Sequence, residues 1–145
     1  MGNITASAII SFTERLEDRS AEFYRDLAER FPQGTEVFLS QAKSCEKTKK
    51  LVVQTYRETV SDALETGFSF EGLDLIDYEI EVTLLEDVEY GEALKKAIAH
   101  EGKAADFYQE VAKRSRSLLA TISIAFKSAA KRRKQQKQKL ESLTD

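Results

Sequence analysis

The sequence predicts an all-α protein, one domain built as an antiparallel four-helix bundle in which two helix pairs are joined by a long crossover. Three observations carry this. The 145 residues, 41% of them hydrophobic, suffice for one continuous core and are too few for two independent ones. A single proline and six glycines leave few places where a helix must stop, and no regular supply of strand turns. A helix-sized stretch also recurs. Glu17, Ala21, Phe23, Tyr24, Ala28 and Arg30 reappear in order and spacing as Glu101, Ala105, Phe107, Tyr108, Ala112 and Arg114.

The first helix follows from Ile9, Phe12, Leu16, Ser20, Phe23 and Leu27, which recur three and four residues apart, with Glu14, Asp18, Glu22, Arg25 and Glu29 on the opposite face. Thr5 or Ser7 can cap its start, and Pro32 and Gly34 in "FPQGT" end it, with Thr35 available to cap the next helix. The first pair is expected over about 5–65, its second helix starting near Thr35. The segment of about 66–88 has three glycines in or next to it and reads as an extended or partly helical connector. Its "YEIEVTL" alternates like a strand, but one strand without a partner makes no sheet. The third helix is expected over about 89–114, with Leu94, Ile98, Ala105, Phe107 and Val111 among its apolar positions, and the fourth over about 118–142. Phe38, Ser40, Ala42 and Lys43 return as Phe126, Ser128, Ala130 and Lys131, so both helices of each pair are echoed. Short links within the halves and a long one between them are a standard bundle connectivity.

A net charge of -3 suits neither a polycation nor an acidic solvating polymer. Charge is nonetheless divided: from Asp62 to Glu92 every charged residue is acidic, whereas from Lys127 to Lys139 every one is basic. No aromatic residue interleaves with that basic run after Phe126, so the reading is a solvated face paired with the acidic crossover, not a nucleic-acid interface. Cys45 has no partner for an internal disulfide, which points to a reducing compartment and a cytoplasmic location. No stretch approaches the roughly 20 apolar residues of a membrane span, and no charged region leads into an apolar export segment.

Glu17 does not lie on the charged stripe. It shares a face with Thr13, Ser20, Tyr24 and Ala28, and Glu101 repeats the situation among Ala97, Ala104, Tyr108 and Ala112. A carboxylate directed into a bundle must be neutralised, hydrogen bonded or metal bound, because an unpaired buried charge is costly. Two in equivalent places suggest one shared site. His100, next to Glu101 and so about 100° away around the helix, reads as a surface residue.

With its "E...A.FY..LA" pattern in helices one and three and its "DVEYGEALKKAI" lead-in to helix three, nearly the whole chain resembles the rubrerythrin branch of the ferritin-like superfamily. The resemblance implies a ferritin-like bundle, association as a homodimer and a di-iron centre. That centre takes a glutamate from each of two helices and a Glu-x-x-His from each of the others. Glu17 and Glu101 match the first two ligands, and Tyr24 and Tyr108 match tyrosines that hydrogen bond around the metals.

The other two helices depart from the pattern. At Glu-x-x-His spacing, helix two offers Cys45 and Thr48 or Glu46 and Lys49, and helix four offers Arg133 and Gln136 or Lys134 and Lys137. No histidine occurs in either frame. An inward Arg133 or Lys134 would instead turn the metal site into a buried ion-pair network with Glu17, Glu101 and the two tyrosine hydroxyls. The expectation is a scaffold, binding or assembly module without a cofactor. The alternative is an iron-dependent oxidoreductase acting on peroxide or oxygen, with iron on Glu17, Glu46 and Glu101. It would draw electrons from a redox partner, because Cys45 is the only cysteine.

Overall fold

The computed structural model describes residues 4–59, 69–70, 73–79, 82–84, 86–115 and 120–144. Among the described residues four α-helices, α1 (Ala6–Arg30), α2 (Thr35–Thr59), α3 (Tyr90–Ser115) and α4 (Ala120–Glu141), pack as a bundle. Thr5 is the cap that forms at the start of α1, its hydroxyl accepting from the Ala8 amide at 3.1 Å. The expected continuation of α2 to about residue 65 and the start of α4 at 118 lie outside the described residues.

Pro32–Gly34 forms one 3-10 turn between α1 and α2, and Thr35 returns its hydroxyl to the Ala28 carbonyl at 2.8 Å. Gly34 is needed for close approach. A Cβ there would sit 2.7 Å from the Phe38 ring and 3.0 Å from the Tyr90 hydroxyl, far inside normal contact.

In the crossover, Leu75–Tyr78 is a short 3-10 helix capped by Asp74, which accepts from the Ile76 amide at 3.0 Å. The connector differs from expectation in one respect, because part of it finds a strand partner. Ser69–Phe70 pairs antiparallel with Ile4–Thr5, placing Ile4 opposite Phe70 and Thr5 opposite Ser69. This partner lies just ahead of α1, so no local pattern announces it.

Packing is most extensive between α3 and α4 and between α1 and α2, followed by α2 with α4. The core has two apolar clusters. One gathers Ile9, Phe12 and Leu16 from the first half of α1 with Val52 from late in α2, Phe107 and Val111 from late in α3, and Ile122 and Phe126 from early in α4. The other gathers Phe23 and Leu27 with Phe38, Leu94 and Leu140, from the opposite ends of the same helices. A fully buried side chain of this size is worth about 1.5–3 kcal/mol, so the clusters hold the fold while the layer between them carries polar groups.

The described part of the crossover lies over α1 and α3. Lys103 donates to the Glu79 carbonyl at 2.8 Å, Lys96 donates to the Thr83 carbonyl, and Tyr78 packs on Phe107 with ring centroids 5.5 Å apart. Among the described residues, no ion pair joins the basic surface of α4 to the acidic stretch around the crossover, of which Asp62, Glu65, Glu71 and Glu81 lie outside the described residues.

Candidate functional site

Between the two apolar clusters each helix contributes polar residues to one buried layer. Glu17 and Ser20 come from α1, Gln41, Cys45 and Thr48 from α2, His100 and Glu101 from α3, and Arg133 and Gln136 from α4. On α2, residues 41, 45 and 48 are successive positions of one helical face, as are 133 and 136 on α4. This settles the frame on Cys45 with Thr48 and Arg133 with Gln136.

The alternative frame points outward. Glu46 is exposed and ion-paired to Arg25, Lys49 pairs with Asp18 at 2.9 Å, and Lys134 is exposed. Glu46 as a metal ligand and Lys134 as a site-lining residue are thus corrected: each lies one residue beyond the inward position, rotated about 100° toward solvent.

Arg133 is fully buried and joins both glutamates. Its Nη2 donates to Glu17 Oε1 at 2.8 Å and its Nε to Glu17 Oε2 at 3.3 Å, a two-point grip that suits the planar guanidinium. Its Nη1 donates to Glu101 Oε2 at 2.7 Å. The tyrosines cross over: Tyr24 of α1 donates to Glu101 of α3, and Tyr108 of α3 donates to Glu17 of α1. Gln136 adds a donor to Glu101 Oε2 at 3.2 Å and a weak one to Cys45 Sγ at 3.7 Å.

His100 is buried, contrary to its reading as a surface residue, because α1 supplies a partner at its ring. Its Nε2 lies 2.7 Å from Ser20 Oγ, which donates to the Leu16 carbonyl at 2.6 Å and accepts from Arg133 Nη2 at 3.0 Å. With its one proton given to Leu16, the serine accepts from histidine, which places a proton on Nε2. Burial, then the nearby Arg133 and Lys103 cations, push its pKa down to about 3.

Other titrations follow from the dry surroundings. Burial raises Glu17 above the ordinary carboxylate value; Arg133 and the Tyr108 hydrogen bond oppose this, and Glu101 adds to it. Burial and the carboxylates facing them keep Tyr24 and Tyr108 far above the normal phenol range, so both remain donors. Burial likewise holds Cys45 well above the ordinary thiol value, leaving a small packed group and not a ready nucleophile. Burial opposes the charge on Arg133, but the two carboxylates outweigh it and keep the guanidinium charged.

The arrangement does not suit a pair of irons. Both glutamates are engaged by a guanidinium and a phenol, and a fixed cation stands where α4 would supply a ligand. Among the described residues, no three His, Cys, Asp or Glu side chains converge as a metal set. The sequence places Ser20 on the inward stripe of Glu17 and Tyr24 without assigning it a role in the site, and it does not point to Gln41 until Cys45 is known to face inward.

No protein-family model matches the chain, and no curated protein or solved structure matches it. Among the described residues, no helix is long and apolar enough to cross a membrane.

Proposed function

We propose that this chain is a rubrerythrin-type, ferritin-like antiparallel bundle in which an internal ion-pair network stands in place of a di-iron centre, and that it serves as a non-catalytic scaffold, binding or assembly module. The observation that carries this is Arg133, fully buried and hydrogen bonded to both inward glutamates. A guanidinium there supplies the positive charge that metal ions would otherwise bring, and it engages both carboxylates, with Glu101 Oε1 the one oxygen of the pair that has no partner among the described residues. The meeting of early α1 with late α2, and of late α3 with early α4, in one apolar cluster supports the antiparallel arrangement. Glu46, turned to solvent and held by Arg25, weighs against the iron oxidoreductase reading.

Metal content tests this proposal. Protein from iron-supplemented cells, and apoprotein reconstituted anaerobically with ferrous iron, should hold substoichiometric iron and consume no peroxide. Two tightly bound irons per chain would overturn it. Conversely, Cys45→Glu, Thr48→His, Arg133→Glu and Gln136→His combined should create iron binding, since these four positions face the two glutamates.

A further inference from the structure

Between α2 and α4 the surface opens into a groove of about 470 Å³, within the roughly 300–1,000 Å³ typical of small-molecule sites. Its walls are regular. Ser40 and Ser44 lie one turn apart on α2, while Arg132, Gln135 and Lys139 follow one stripe of α4. The floor is made by Gln41 and Gln136, both almost fully buried.

Two independent features point to a ligand. First, the groove has cations and no acid among its lining residues, and among the described residues neither Arg132 nor Lys139 is ion-paired. The exposed Lys43 and Lys131 adjoin lining residues in sequence, as does the exposed Glu141, so the positive charge an anion meets in the groove is that of Arg132 and Lys139. Second, the floor lacks donors. Gln41 spends its amide nitrogen on the Gln136 backbone carbonyl at 2.9 Å, and Gln136 spends its own on Glu101 and Cys45. The Oε1 atoms of both have no hydrogen-bond partner among the described residues. A buried amide oxygen left so has lost its hydration without a replacement, a cost that a donor from a ligand would recover.

We propose that this groove binds a small hydroxylated organic phosphate. The phosphate would lie between Arg132 and Lys139, a guanidinium and an ammonium suited to a dianion. The ligand's hydroxyls would donate to the Gln41 and Gln136 oxygens once side-chain rotation brings these buried atoms to the groove, and the serine hydroxyls would serve the remaining polar atoms. This site is separate from the Glu17, Arg133 and Glu101 layer and stands whether or not that layer descends from a metal centre. Gln136 connects the two, since it lines the groove and donates to Glu101.

Calorimetric titration of the intact chain with glycerol 3-phosphate, inorganic phosphate, glycerol and a short DNA duplex tests the proposal. Glycerol 3-phosphate should bind once per chain, at least about tenfold more tightly than inorganic phosphate, and glycerol alone should not bind. Combined Arg132→Ala and Lys139→Ala should weaken it at least about tenfold, with an unchanged far-ultraviolet circular dichroism spectrum. In the unaltered protein, saturation should shift the side-chain amide resonances of Gln41 and Gln136. Equal affinity for phosphate and glycerol 3-phosphate without those shifts would overturn it, as would binding of DNA alone or no binding of any probe.

Discussion

The α1–α2 half and the α3–α4 half of the bundle present the same inward pair, Glu17 with Tyr24 and Glu101 with Tyr108, yet they set different chemistry opposite it. In the first half the facing positions hold Cys45 and Thr48; in the second they hold Arg133 and Gln136. The tyrosine bonds cross between halves, so neither half completes its own glutamate. The difference shows how one substitution can serve two carboxylates. A single guanidinium has enough donors to reach both, provided the equivalent place in the other half is filled by something small, and Cys45 is small. With both carboxyls ionised the trio would carry one surplus negative charge. The upward displacement of the Glu17 pKa is the direction that relieves it.

Removing the asymmetric member should have the largest effect. Arg133→Met leaves two buried carboxylates with phenol donors and no opposite charge, and the expected loss of stability is about 3–5 kcal/mol, measured by urea unfolding. Adding Glu17→Gln and Glu101→Gln should recover much of that loss, because the cost lies in uncompensated charge and not in lost packing. If Arg133→Met alone cost less than about 1 kcal/mol, the guanidinium would not be the group that holds the halves together.

A second asymmetry is His100, whose counterpart in the first half is Leu16. Its folded-state pKa of about 3 lies below the ordinary 6.5, so the unfolded chain binds a proton over that window and the folded chain does not. Stability from this residue is therefore complete above about pH 6.5 and falls as pH drops toward 3, by roughly 3 kcal/mol at pH 4. Glu17 acts in the opposite sense, since a raised carboxyl pKa favours the folded state as pH falls and loses that contribution as pH rises. Unfolding free energies of the wild type and His100→Gln between pH 7 and 4 check this. The variant's curve should be flatter, and parallel curves would mean that the histidine accepts its proton while folded.

Much of this comparison was legible in the sequence, for a physical reason. Helices one and three have an apolar seam and a separate charged stripe, so a glutamate lying off that stripe stands out, and the repeat makes it stand out twice. Helix four is mostly cationic outside its inward face, so Arg133 could not be told from Lys134 until Gln136, Ala129 and Ala130 were seen buried on the same side. His100 was misplaced because the partner that makes burial tolerable, Ser20, comes from the other half of the chain. The pairing of Ser69–Phe70 with Ile4–Thr5 was unreadable for the same reason: two residues carry no periodicity, and their partner is distant in sequence.

The crossed tyrosines give the finest test of whether the halves are equivalent. Tyr24→Phe and Tyr108→Phe each remove one hydrogen bond to a carboxylate in a dry site, and each should cost about 1.5–3 kcal/mol at neutral pH. The two losses should nevertheless differ in character. Glu101 keeps donors from Arg133 and Gln136, both on Oε2, and Glu17 keeps one Arg133 bond on each oxygen, so the number of remaining bonds does not separate the two. What separates them is that the Tyr108 bond restrains the rise in the Glu17 pKa. Its loss should move that pKa further up, and the destabilisation caused by Tyr108→Phe should shrink as pH falls and the carboxyl takes up a proton. Unfolding of both variants at pH 7 and pH 5 measures this, with Tyr108→Phe expected to recover more of its loss at the lower pH. Equal behaviour of the two variants at both pH values would mean that the Tyr108 bond does not restrain the Glu17 carboxyl, and that the guanidinium alone breaks the symmetry of the bundle.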